Sequence, residues 1–266
     1  QAFGSEKGYR RTMADIKENP RFDIAQKSKL DLAELDTPLE RFKEEEAQTS
    51  YAEKIPIAKQ GVRMSNRAAT VIANKMKFDI FNQLVDGFEQ SGKTFENSPE
   101  LYKEAAKYAN QLVGRGFLGE KLEMASPLIG HVLYSLRLQA SRLQLLTNFI
   151  NPRFYAKVPK EIRIEYFKDM AKFVLMGTAM LGLAKAAGLG VELDPRSSDF
   201  GSIRWGETRF DIWGGFKHYV TLFSRLLTAS TKSPETGQVS RLKIPFSAGT
   251  PEHREKTYGD LLLRFA

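Results

Sequence analysis

Residues 65–92, SNRAATVIANKMKFDIFNQLVDGFEQSG, decide the fold class. Ala69, Ile72, Met76, Ile80, Leu84 and Phe88 recur at spacings of three and four. That spacing places them on one side of an amphipathic helix, which Ser91-Gly92 brings to an end. The next segment carries start signals: Ser98 as N-cap, Pro99 in the first turn and Glu100 on the positive end of the helix dipole. Leu101, Ala105, Tyr108 and Leu112 form its stripe, and Gly114 is a natural C-cap. After a glycine-rich connection, HVLYSLRLQASRLQLLTNFI reads as a helix up to Pro152. Pro159 opens the longest helix, predicted over residues 160–189.

Beyond Asp194 the pattern changes. FGSIRWGETRFDI reads as two short strands joined at Gly206-Glu207, a hairpin of the II′ kind. Gly214-Gly215 breaks the chain, and helical spacing returns through Tyr219, Leu222, Phe223, Leu226 and Leu227 before the loop TKSPETGQ. The expectation is a mainly α, multi-helix domain with a small β-hairpin near residues 200–212. Its domain covers residues 62–232, and residues 233–266 supply a loop and the start of a further helical segment. Residues 1–61 are polar and sparse in apolar side chains, with Pro20 and Pro56 as breaks, and read as an extended, partly helical arm or linker.

Charge is uneven along the 266 residues. Residues 1–60 hold 11 Lys/Arg and 12 Asp/Glu, and the remainder holds 29 and 20, so the net +8 arises after residue 60. An anionic partner, whether nucleic acid, anionic lipid or an acidic protein surface, is therefore expected to meet the later part of the chain. The absence of cysteine excludes disulfides and thiolate metal sites. His131, His218 and His253 lack ligand spacing, and no P-loop, dinucleotide fingerprint or HExxH pair occurs, so neither metal nor cofactor is expected. Glu44-Glu45-Glu46 reads as a solvated helix face. The opening at Gln1 and the helix-like ending YGDLLLRFA lead us to expect a segment of a longer chain.

Three groups of residues are candidates for function. Residues 173–191 carry one charge, Lys185, with basic residues upstream. Phe173, Gly177, Gly182, Ala186 and Val191 mark this stretch as a membrane or oligomer helix, Gly182 and Ala186 having small-xxx-small spacing. The competing reading is a central helix buried by its neighbours. Arg137, Arg142, Arg163, Lys168 and Lys172 are candidate contacts to DNA or another anion. Finally, Asp194, Arg196, Asp199, Arg204, Arg209 and Asp211 gather in one turn-rich span. They read as a hairpin pinned by Asp–Arg pairs and packed on a helix through Trp205, Phe210 and Trp213. The alternative is a carboxylate set for acid–base chemistry, which lacks a nucleophile with its base.

Three stretches, residues 64–85, 110–146 and 193–233, resemble in this order a region of very large proteins of phages and phage-like elements. These form the large polyvalent protein-associated domain group. The resemblance covers roughly residues 62–232. It is most specific at DPRSSDFG and at Gly206, Thr208, Arg209, Asp211, Gly214 and Gly215. It implies a virion-internal, ejection-type bacteriophage protein that enters the host with the genome, its enzymatic domains lying elsewhere in the long chain, and it brings no catalytic residues. The expected role is non-enzymatic assembly during genome delivery. Partners would be portal, tail and internal proteins, further copies of the chain, phage DNA and transiently the host membrane. The location would be the virion interior, then the host envelope on infection. The alternatives are a DNA-binding internal virion protein, or a segment of an enzyme acting on peptidoglycan or nucleic acid through Asp194, Asp199 and Asp211.

Overall fold

A computed structural model describes residues 5–33, 56–114, 136–148, 151–233 and 236–242. The fold is mainly α with small antiparallel sheets, as the periodicity predicts. The helices are α1 (Glu6–Lys17), α2 (Phe22–Lys27), α3 (Pro56–Gln90), α4 (Pro99–Leu112), α5 (Leu136–Thr147), α6 (Pro152–Lys157), α7 (Lys160–Ala186) and α8 (Lys217–Thr228). Strands β1 (Gly190–Val191), β2 (Ser202–Trp205) and β3 (Thr208–Asp211) form one sheet, and β4 (Ser230–Lys232) and β5 (Val239–Arg241) another. The chain divides into two compact units, residues 1–165 and 166–266; the division falls within α7 and at neither residue 62 nor residue 232.

In the first unit, α3 and α4 pack together around Tyr102. Its ring is fully buried and meets Phe81, Phe88 and Phe95 edge-on at 5.6–6.4 Å, while its hydroxyl donates to the Lys93 carbonyl at 3.0 Å. Pro56 does not stop a helix but begins one, where its missing N–H costs nothing. The buried face of α3 differs from the expected stripe in its first half. Ala69, Ile72 and Met76 are exposed, and Val71, Asn74, Lys77 and Phe78 point inward.

Residues 5–33 explain this rotation. They form no extended arm: α1 buries Tyr9, Met13 and Ile16, and the chain after α2 buries Leu30 and Ala33. Ser5 caps α1 by accepting from the Gly8 N–H at 3.0 Å. The fully buried Asn74 amide brackets Ala33, accepting from its N–H at 3.0 Å and donating to its carbonyl at 2.6 Å. Lys77 is equally buried and donates through Nζ to the Asp31 carbonyl. Arg21 joins Asp86 and Glu89 of α3, each at 2.7 Å. Two polar residues thus occupy core positions of α3 because an incoming backbone needs hydrogen-bond partners there.

In the second unit the hairpin is where it was expected. Trp205 pairs with Thr208, leaving Gly206-Glu207 as a two-residue turn, and only Gly206 has positive φ, at +60°. That is the II′ pattern. The third strand was not foreseen: Gly190 and Val191 pair with Arg204 and Ile203. Val191 is therefore a strand residue, and α7 ends at Ala186, three residues short of the predicted end. The chain after α8 turns through Ala229, in the left-handed region at φ +48°, into the β4–β5 hairpin that holds the predicted loop.

Candidate functional site

The second unit is organised around Trp213. Asp211 accepts from its backbone N–H at 2.8 Å, and the indole Nε1–H donates to the Gly201 carbonyl at 2.9 Å. Phe173 meets the indole edge-on at 5.6 Å and Phe216 at 5.3 Å. Two glycines admit the ring. A Cβ on Gly177 would lie 2.4 Å from the indole Cζ3, and one on Gly201 would lie 2.4 Å from Nε1. Both distances are far inside van der Waals contact, so only glycine lets α7 and the turn before β2 close on the indole. Gly177 thus serves packing and is not available as an oligomer contact. Trp213 anchors the hairpin to α7 as expected, whereas Trp205 (70% exposed) and Phe210 (46%) face outward.

The charged residues form two closed groups. Asp194 accepts from Arg196 Nε at 2.8 Å and from its backbone N–H at 3.0 Å, and pairs with Lys232 at 3.2 Å. Those bonds hold its carboxyl well below the usual carboxylate range. Asp199 is buried between Arg204 at 2.7 Å and Arg209 at 2.8 Å. Burial alone would raise its carboxyl, but the Arg204 hydrogen bond and the charges of Arg209 and Lys217 prevail and lower it. Arg204 and Arg209 stand directly opposite each other on β2 and β3, a repulsive cross-strand pair that Asp199 neutralises. The Arg196 carbonyl accepts from Lys232 N–H at 2.8 Å and Arg225 Nε at 3.2 Å, tying the Asp194 turn to α8 and β4. General acid catalysis needs a carboxyl raised toward neutrality. Asp194 and Asp199 are moved the other way and act as fixed counter-charges. Among the described residues, no cluster of His, Asp or Glu is arranged to hold a metal ion.

The remaining candidates are dispersed. Arg142 lies on α5 and Arg163 on α7, both half-buried in the first unit; Arg137 is on α5, with its side chain outside the described residues. Lys168 and Lys172 are exposed on the part of α7 that belongs to the second unit, Lys172 paired with Asp169 at 3.0 Å.

That part of α7 is not a buried central helix. Its inward face is Gly177, Leu181 and Ala184. Leu175 (68% exposed), Met176 (67%), Leu183 (72%), Val174 and Met180 lie open, and Gly182 and Ala186 are on the exposed side too. Among the described residues, no helix is long and apolar enough to cross a membrane. The sequence predicts this helix but not its open face, because residues 173–184 are uncharged on all sides. No protein-family model, curated protein or solved structure matches the chain.

Proposed function

We propose that this chain is a non-enzymatic docking and assembly segment of a large phage internal protein of the ejection type. It would act in the virion interior and then in the host envelope, helping the genome across. One observation carries the reading: α7 exposes Leu175, Met176 and Leu183 beside one another, while the acidic residues nearby are spent on holding the hairpin. Large exposed apolar side chains in a contiguous patch mark a surface made to be covered. The sequence resemblance supports the phage setting, and portal, tail and internal proteins or further copies of the chain are the partners it suggests.

The test follows the chain through infection. Particles labelled with heavy isotopes are purified and analysed by mass spectrometry, and unlabelled host cells are then infected and fractionated. Peptides of this chain are expected in the particle and, still labelled, in the host envelope fraction. Their absence from purified particles would overturn the proposal. A second reading, a DNA-binding internal protein, draws on the basic surplus after residue 60. Its signature is duplex affinity that falls steeply with salt.

A further inference from the structure

We propose that the open face of α7, from Lys168 to Leu183, docks on an anionic lipid bilayer and lies in the plane of its interface. The proposal rests on the docking reading above and adds what α7 docks on.

The length of the apolar segment comes first. Residues 173–184 are uncharged over 12 positions. At 1.5 Å per residue they extend roughly 18 Å, against a hydrocarbon core of about 30 Å. The segment is too short to span and long enough to lie along the surface. Its orientation is set by the inward face, since Gly177 is closed by Trp213 and Leu181 and Ala184 are buried. The opposite side, Leu175, Met176 and Leu183, therefore faces away from the unit, with Met180 half-exposed on the flank. The one hydroxyl in this segment does not oppose burial in lipid: Thr178 donates to the Val174 carbonyl within the helix at 2.8 Å.

Charge selects among occupants. Lys168 and Lys172 are exposed on α7, one and two turns before Leu175 and Met176, and Lys185 follows at its end. Their stems are able to lie along an apolar surface while the ammonium groups reach lipid phosphates. The Lys172–Asp169 pair is a surface i,i+3 contact, weak enough to exchange for a phosphate. The open side chains Leu175, Met176 and Leu183 are large, apolar and each about two thirds exposed or more, the character of an interaction patch. An interfacial helix needs only such a strip with basic neighbours.

The test is flotation of the 266-residue chain with vesicles of phosphatidylethanolamine containing about one third phosphatidylglycerol, and with neutral phosphatidylcholine vesicles. The wild-type chain should float with the anionic vesicles and far less with the neutral ones. Leu175→Gln/Leu183→Gln and Lys168→Gln/Lys172→Gln should each lower the bound fraction about tenfold. Met76→Gln, on the exposed side of α3, should leave it unchanged. The replaced side chains are all exposed, and an unchanged thermal midpoint by circular dichroism verifies that each variant is folded. Light scattering on the same samples separates the outcomes. A dimer that Leu175→Gln/Leu183→Gln turns into monomer assigns the face to a second copy, overturning the lipid proposal but not the docking reading. A monomer that floats with neither vesicle, or equally with both, also overturns the lipid proposal, and the particle analysis then decides the docking reading on its own.

Discussion

The same substitution, Gly to Ala, should act with opposite sign at two positions five residues apart on α7. Alanine in place of glycine in a helix interior gains about 1 kcal/mol from backbone entropy, wherever it is made. At Gly182 nothing lies within 4 Å of the added Cβ, so this gain stands alone. At Gly177 the Cβ would sit 2.4 Å from Cζ3 and 2.6 Å from Cη2 of Trp213, and ordinary contact begins near 3.4 Å. The indole must withdraw by about 1 Å, which is an overpacking cost of about 1–3 kcal/mol. Withdrawal is obstructed, because the indole is closed in at Gly201 and its Nε1–H is bonded to the Gly201 carbonyl at 2.9 Å. Weakening that bond adds up to about 1 kcal/mol. The propensity gain is common to both variants and cancels between them, so their stabilities should differ by about 1–4 kcal/mol. Urea unfolding followed by tryptophan emission reads the right unit, since Trp205 and Trp213 are the two tryptophans and both belong to it. With a slope of about 2 kcal/mol per molar, the Gly177→Ala midpoint should lie about 0.5–2 M below that of Gly182→Ala. A Gly177→Ala protein as stable as Gly182→Ala would show that the indole does not sit against α7, and the account of this unit would fail with it.

Two further perturbations test the buried polar groups. Asn74→Ala leaves the Ala33 N–H and carbonyl without their partner and should cost the first unit about 2–4 kcal/mol. Tryptic cleavage at Lys27 and Lys29 should accelerate while tryptophan emission, which comes from the other unit, stays the same; unaltered cleavage would refute the anchoring role. Asp194 and Asp199 have carboxyl groups lowered from an ordinary 3.8. Their contribution is therefore complete above that value and is lost as pH falls through the lowered folded values. The urea midpoint read by tryptophan should hold steady down to about pH 5 and fall progressively below it, and Asp199→Asn should remove part of that dependence. An identical pH slope in the variant would clear Asp199 of the role.

The legible parts of the fold are those whose cause is local. The β2–β3 hairpin follows from two turn residues, and Gly206 alone takes the positive φ that a II′ turn requires. Helix α4 was legible from Pro99 and Glu100 in its first turn, although Ser98 stands at the N-cap position without a side-chain capping bond, and α3 from its period. The packing of residues 5–33 was hidden because its determinants on α3, Asn74 and Lys77, are polar. A reader of hydrophobic period assigns such residues to solvent and turns the helix the wrong way, which is how Ile72 and Met76 came to be expected inside. Strand β1 was hidden because two residues carry no alternation, and it exists only because β2 offers an edge.

Helix α7 shows why composition could nominate a surface without orienting it. Where every position from 173 to 184 is uncharged, the hydrophobic pattern has no preferred side, so burial on all sides and exposure on one predict the same string. The distinction comes from a residue with no side chain and its partner 36 positions later: Gly177 accepts Trp213, and that contact turns Leu175 and Leu183 outward. Such a glycine differs in kind from Gly182, which meets nothing within 4 Å. Four-residue spacing of small residues treats Gly182 and Ala186 as a packing motif, yet the glycine that is packed is the one outside it. What decides the use of α7 is therefore long-range complementarity between a gap and a ring, and the face left open is defined only after that gap has been filled.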